Sequence, residues 1–385
     1  MLSLVRYTIA SLCATAAAQQ YAGDTISGSL PSAEGAEIAY FRVSDPSGAN
    51  DRLTLLNYYS LDSNGQRLQE SAVERAVIMN FGQNRNAADY EGFVIEALKK
   101  VTSGASVDNT AVMVPMWAND QDKGVAYPYD DQTQTSTSNA MVWYDTEWAY
   151  GRNNMYPSSS TNISTFYVLD EIVQYYMDES TFPNLKEVVI AGHSMGSQLV
   201  QRYAALTSVQ SGRIPVTFWP ADPNSLVWLS ADHPVQTSNC PTFDDYPEGF
   251  SNYAQDNQQY GQTLVSQGVE AVRQNFQNKQ VAWLRSTQDQ GDHTTDGCGA
   301  YASGNNRDER FLNFIKAFPP QCEDPAGGNC DTVDYIDATH DAQAAFGSEA
   351  GLARLFSDNF DGKGVRAHDF GTRRQNDDDP YPSSA

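Results

Sequence analysis

Residues 188–205 constrain the fold more than any other stretch of the chain. The apolar, β-branched run Val188-Val189-Ile190-Ala191 passes directly into Gly192-His193-Ser194-Met195-Gly196, and the chain leaves through Gln198-Leu199-Val200-Gln201-Arg202-Tyr203-Ala204-Ala205, which has helical apolar spacing. A strand that becomes a helix with no loop between them brings backbone segments so close that the flanking positions must lack side chains. Gly192 and Gly196 supply that room, and the serine between them then projects above the sheet edge. The first N–H groups of a helix favour negative charge, and the N–H of Met195 is placed to donate to a developing oxyanion. A G-x-S-x-G alone is a weak signal. Between a strand and a helix it points to a serine nucleophile.

Around this segment, apolar and β-branched runs bounded by turn residues recur along the chain. They are EIAYFRV (37–43), LTLLNYYSL (53–61), RAVIMNFG (75–82), TAVMVPMW (110–117), KEVVIAG (186–192), PVTFWPAD (215–222), QVAWLRST (280–287) and TVDYIDAT (332–339), which predict about eight strands. Helical spacing is found over Tyr90 to Val101, Phe166 to Met177, Gln198 to Leu206 and Arg307 to Phe318. Strand and helix alternate after an opening hairpin, so the expected architecture is one α/β domain, residues 19–372, with a mostly parallel sheet covered by helices on both faces. Two intervals are too long for simple crossovers, about 118–165 and 223–279, and read as cap-like insertions. Their many aromatic residues, among them Trp143, Trp148, Trp228, Tyr246 and Tyr253, suit either a substrate cleft or packing onto the main body.

The ends of the chain read differently. Residues 1–18 place Arg6 before a short apolar stretch ending in small residues, which predicts a secretion signal cut after Ala18. That stretch is too short to span a bilayer, and no later segment has about 20 consecutive apolar residues, so no stable membrane insertion is expected. Residues 373–385 lack apolar periodicity and are expected to be disordered. The formal charge of −24 becomes −25 without residues 1–18, which contain one basic residue and no acid. Binding to nucleic acid is excluded on this ground, because a polyanion would be repelled.

Export brings the cysteines into play. Of five, Cys13 leaves with the signal, and Cys240, Cys298, Cys322 and Cys330 remain, an even number suited to two disulfides. Cys322 and Cys330 bracket the flexible loop EDPAGGN, which leaves Cys240 for Cys298; four cysteines allow three pairings. With no CxxC and no histidine at ligand spacing, no metal or other cofactor is expected. Asn162-Ile-Ser is a candidate glycosylation site.

The strand-turn-helix around Ser194 resembles the nucleophile elbow of the α/β-hydrolase superfamily, and the strand count and order extend the likeness over most of residues 37–360, with secreted fungal serine hydrolases of esterase or lipase type the nearest resemblance. The resemblance implies that an acid follows a later strand and a histidine the last one. His340 stands after the last predicted strand and is the candidate base. His193 lies inside the elbow, where its side chain is expected to point away from Ser194; His233, His293 and His368 fall in an excursion, a polar loop and the tail. For the acid, Asp289 is the first carboxylate beyond the strand 280–287, with Asp292 next and Asp222 after the preceding strand as further candidates. The resemblance also places a second oxyanion donor in the loop Asn80-Phe81-Gly82-Gln83. Phe81 stands where members of the superfamily often have histidine, but a backbone N–H from Gln83 would serve.

The function expected from these residues is hydrolysis of a carboxylic ester, small-molecule or lipid-like, through an acyl-enzyme. A peptidase or acyltransferase would use the same residues, and a catalytically inactive binding protein of the same fold is the alternative from another class. Neither the acyl and alcohol groups of the substrate nor the oligomeric state follow from the sequence.

Overall fold

The computed structural model describes residues 20–22, 30–48, 50, 52–102, 104–235, 238–255, 260–291, 297–324, 329–360 and 370–371. The expected signal, the expected disordered tail, Asp292, His293 and His368 lie outside the described residues. Among the described residues, nine strands form the main sheet: β1 (Gln20–Ala22), β2 (Ala36–Val43), β3 (Leu53–Ser60), β4 (Arg75–Asn80), β5 (Thr110–Pro115), β6 (Glu187–His193), β7 (Val216–Ala221), β8 (Gln280–Ser286) and β9 (Thr332–Ile336). Their spatial order is β1-β2-β3-β5-β4-β6-β7-β8-β9. The pairings from β5 through β9 are parallel, and β1, β2 and β3 add antiparallel at one edge. All eight predicted strands are present; β1, three residues long, is the addition.

The central strands explain their own composition. Every residue of β4, β5, β6 and β7 is buried. A parallel strand covered on both faces needs a continuous apolar run instead of alternation. The crossovers carry helices α1 (Ala87–Leu98), α2 (Thr165–Met177), α3 (Met195–Leu206), α4 (Val269–Gln277) and α5 (Arg307–Ala317). From β4 the chain moves to β5 on one side, whereas from β6 it moves to β7 on the other. Right-handed crossovers then put α1 and α3 on opposite faces, which makes the carboxyl ends of the adjacent strands β4 and β6 the switch point of the sheet. Asn80 and Gly192, at those two ends, are register partners.

Both long excursions are fastened to α3. Arg202, fully buried, donates to Ala149 O (3.4 Å) in the first excursion and to Pro247 O (3.2 Å) and Ser225 Oγ (3.2 Å) in the second. Gln201 exchanges hydrogen bonds with the backbone of Val227. Most of the large aromatic residues here are core: Trp117, Tyr127, Trp143, Trp148, Trp228, Tyr246 and Tyr253 are buried, whereas Tyr144 is exposed. Packing onto the body accounts for these buried rings, while Tyr260 lines a cavity with Asp170, Leu206 and Asn275. The Cys240–Cys298 disulfide ties the second excursion to the segment after β8. Cys330 is also disulfide-bonded and faces Cys322 in the register of a short hairpin; the Cys322 side chain lies outside the described residues.

Candidate active site

The elbow is built by steric exclusion. A Cβ at Gly192 would collide with the carbonyl of Gly196, and a Cβ at Gly196 with the carbonyls of Asn80 and Phe81. Between them Ser194 has φ 59° and ψ −120°, and its N–H donates to Ala221 O at 3.0 Å. Arg85 (φ 54°) and Asp222 (φ 51°) are also left-handed. Arg85 lies just past the end of β4 and Asp222 at the end of β7. Each such non-glycine conformation costs about 1–3 kcal/mol and persists only where the surroundings enforce it, which is how a preorganised site is recognised.

Ser194, His340 and Asp289 form one hydrogen-bonded chain. His340 Nε2 is 2.7 Å from Ser194 Oγ, and His340 Nδ1 is 2.7 Å from Asp289 Oδ2. His340 lies four residues beyond β9 and Asp289 three beyond β8, so neighbouring parallel strands deliver the two side chains to the same edge. Asp289 is buried while the His340 side chain keeps 25% exposure. Burial alone would raise the Asp289 carboxyl; the His340 hydrogen bond and the charges of His340, Arg285 and Arg307 prevail and bring it down to about 2. Asp222, the other described candidate for the acid, accepts from Ser286 N and Oγ, both at 2.6 Å, while the partner of His340 Nδ1 is Asp289. Burial pushes its carboxyl up, against the opposing charge of Arg285.

The loop after β4 approaches the serine closely. A Cβ on Gly82 would lie 3.3 Å from Ser194 Cβ and 2.9 Å from Tyr90 Oη. Gln83 directly follows Gly82 in this loop, and Met195 directly follows the serine at the start of α3. Asn80 stiffens this corner: its side chain donates to Ala191 O (2.8 Å) and accepts from Trp117 Nε1 (3.0 Å).

His193 is buried beside the candidate base. The elbow turns its ring toward His340, 4.7 Å between centroids, and Tyr90 Oη lies 3.0 Å from its Nδ1. Burial, reinforced by His340, pushes the His193 imidazole well below its ordinary range, so this ring is neutral. His233 is buried in the second excursion against Asp244 and Trp228. Among the described residues, one group of potential metal ligands comes within 4.8 Å of one another, His193, Asp222 and His340; both nitrogens of His340 and both oxygens of Asp222 already take part in hydrogen bonds. Asn162 is exposed.

Sequence reasoning missed Tyr90, Asn80, Arg285 and Arg307. Only Arg285 left a signal: a charged residue inside an apolar strand, four positions before an aspartate.

A mostly parallel sheet with crossover helices, a serine on a strained turn at the switch point and a His–Asp pair from the last two strands together define the class: the chain has the α/β-hydrolase fold. Among solved structures it is similar to the poly(3-hydroxybutyrate) depolymerase LpqC of Bordetella parapertussis, with 16% identity, a TM-score of 0.50, and 83% of this chain and 94% of that one covered. Weaker likenesses include the poly(aspartic acid) hydrolase-1 of Sphingomonas sp. KT-1 (15% identity, TM-score 0.47, covering 86% and 99%) and the siderophore hydrolase EstB of Aspergillus nidulans (11% identity, TM-score 0.41, covering 86% and 98%). No protein-family model and no curated protein matches the sequence. No helix among the described residues is long and apolar enough to cross a membrane.

Proposed function

We propose that the protein is a secreted serine hydrolase that cleaves carboxylic esters through an acyl-enzyme. The observation that carries this reading is the unbroken hydrogen-bonded path from Ser194 Oγ through His340 to Asp289, with 2.7 Å at each step. In the first half-reaction Ser194 Oγ attacks the ester carbonyl carbon while His340 Nε2 takes its proton. The tetrahedral oxyanion accepts hydrogen bonds from the N–H groups of Met195 and Gln83, and Asp289 stabilises the imidazolium through Nδ1. Collapse breaks the bond to the alcohol, which leaves with the proton from His340. Water repeats the sequence on the acyl-enzyme and frees Ser194 as the acid departs.

Export is supported by the residues 1–18, by the Cys240–Cys298 disulfide and by the exposed Asn162 of the Asn-Ile-Ser triplet, which we assign as a glycan site. The segments 118–165 and 223–279 are insertions into the α/β domain on this reading. A fluorophosphonate probe should label the wild type at Ser194 and leave Ser194→Ala unlabelled, and that variant should lose about a millionfold in kcat on a chromogenic ester. A wild type that resists the probe and hydrolyses no ester across acyl lengths would overturn the proposal in favour of a binding protein.

A further inference from the structure

Asp289 is held by more than its histidine. On one side Arg285, fully buried on β8, reaches Asp289 Oδ2 with Nη1 (3.2 Å) and the Asp289 carbonyl with Nη2. On the other, Arg307 Nη1 donates to Asp289 Oδ1 at 2.9 Å while its Nε donates to Asn224 Oδ1 at 2.9 Å. Arg307 is the first residue of α5, and its own N–H donates to Gln290 O (3.0 Å), so helix and loop are joined by backbone as well. Gly291 makes the reach possible: with φ +73°, it leaves open a space where a Cβ would come within 2.7 Å of Arg307 Cγ and Cδ. Hydrolysis of an ester requires no such pair of guanidinium groups behind the acid.

The charge of the chain gives them a purpose. With 24 basic and 48 acidic residues, the protein's own field favours a protonated imidazole, and a protonated His340 accepts nothing from Ser194. The groups around His340 repeat that imbalance. Asp289 and Asp222 face it from the ends of β8 and β7, Asp308 lies behind Arg285 on α5 (3.6 Å), and Asp337 and Asp341 flank it in its own loop. His193, the ring stacked on it, is neutral. Arg285 and Arg307 are the cations of the cluster, and both are spent on the carboxylate that His340 meets.

We propose that Arg307 is a positioning residue for this reaction. It fixes the Asp289 carboxylate in line with His340 and, with Arg285, shares its negative charge, so that the reaction keeps its rate further into acid than a lone Asp–His pair would allow. The inference rests on the reading of Ser194, His340 and Asp289 as the catalytic residues. An enzyme exported into an acidic medium would gain activity there from this arrangement.

The test follows the His340 ring by NMR through a pH titration, its signals assigned by their loss in His340→Asn, alongside the pH dependence of kcat/KM on p-nitrophenyl acetate. In Arg307→Gln the His340 midpoint and the acid limb should both rise by about half to one pH unit, a three- to tenfold loss of rate in acid. Arg307→Lys, which keeps the cation, should restore most of the wild-type midpoint. Asp308→Asn, which frees Arg285 from a competing carboxylate, should move it the opposite way. A His340 midpoint in Arg307→Gln equal to or below the wild-type value overturns the proposal, even if the rate falls uniformly with pH. Should Arg307→Gln fail to fold, Asp308→Asn decides, a downward shift supporting the proposal and none overturning it. If the midpoints move as expected while no ester is cleaved and no fluorophosphonate binds, the positioning role stands and the hydrolase reading falls.

Discussion

Two buried carboxylates have opposite fates. Asp289, at the switch-point edge, receives His340 and two arginines and is drawn down to about 2. Glu91, in the middle of α1, is fully buried, and neither of its carboxylate oxygens has a hydrogen-bond partner. Burial pushes it well above the ordinary value of 4.5. Desolvation acts on both, so it does not separate them; the partners do. Asp289 is an anion built into a circuit, and Glu91 is an acid kept neutral by the lack of one.

Removing the charge at each position should expose the difference. The largest effect belongs to Asp289→Asn, which leaves His340 in the wrong tautomer and should lower kcat on a chromogenic ester about ten-thousandfold. Asp222→Asn alters a carboxylate bonded to Ser286 rather than to His340, and should cost at most about tenfold in the same assay. A loss from Asp222→Asn equal to that from Asp289→Asn would reassign the acid. Glu91→Gln should leave kcat/KM within about twofold, because Glu91 touches none of the reacting groups.

The two carboxylates also contribute to stability with opposite slopes. The depressed Asp289 binds fewer protons folded than unfolded, so its contribution is present above its ordinary 3.8 and is lost as pH falls toward about 2. The raised Glu91 binds more protons folded than unfolded, so its contribution is intact in acid and is lost as pH rises above about 4.5. Chemical denaturation across pH should therefore show Glu91→Gln gaining on the wild type as pH increases, by up to about 1.4 kcal/mol per unit until the folded-state pKa is reached. A constant offset between the two proteins would mean that Glu91 is ionised in the fold with a partner.

Much of this architecture can be read from the chain because its elements are long and locally consistent. Each of the eight predicted strands is a mainly apolar or β-branched run, and the elbow announces itself through two glycines whose missing side chains are needed by the fold. The predicted strand 332–339 ends sooner, at Ile336, because Asp337 to His340 belong to the loop that presents the imidazole. What the sequence hides are polar partners brought together from far apart. Tyr90 and His193 are separated by 103 positions, and Arg307 and Asn224 by 83. No local pattern marks such pairs.

Arg202 gives one guanidinium three bonds in two distant stretches of chain, all anchored on the helix that starts beside the serine. A movement that releases one excursion must break contacts that also restrain the other. The two walls are thus mechanically coupled and would loosen as one cooperative unit, not as a pair of independent flaps.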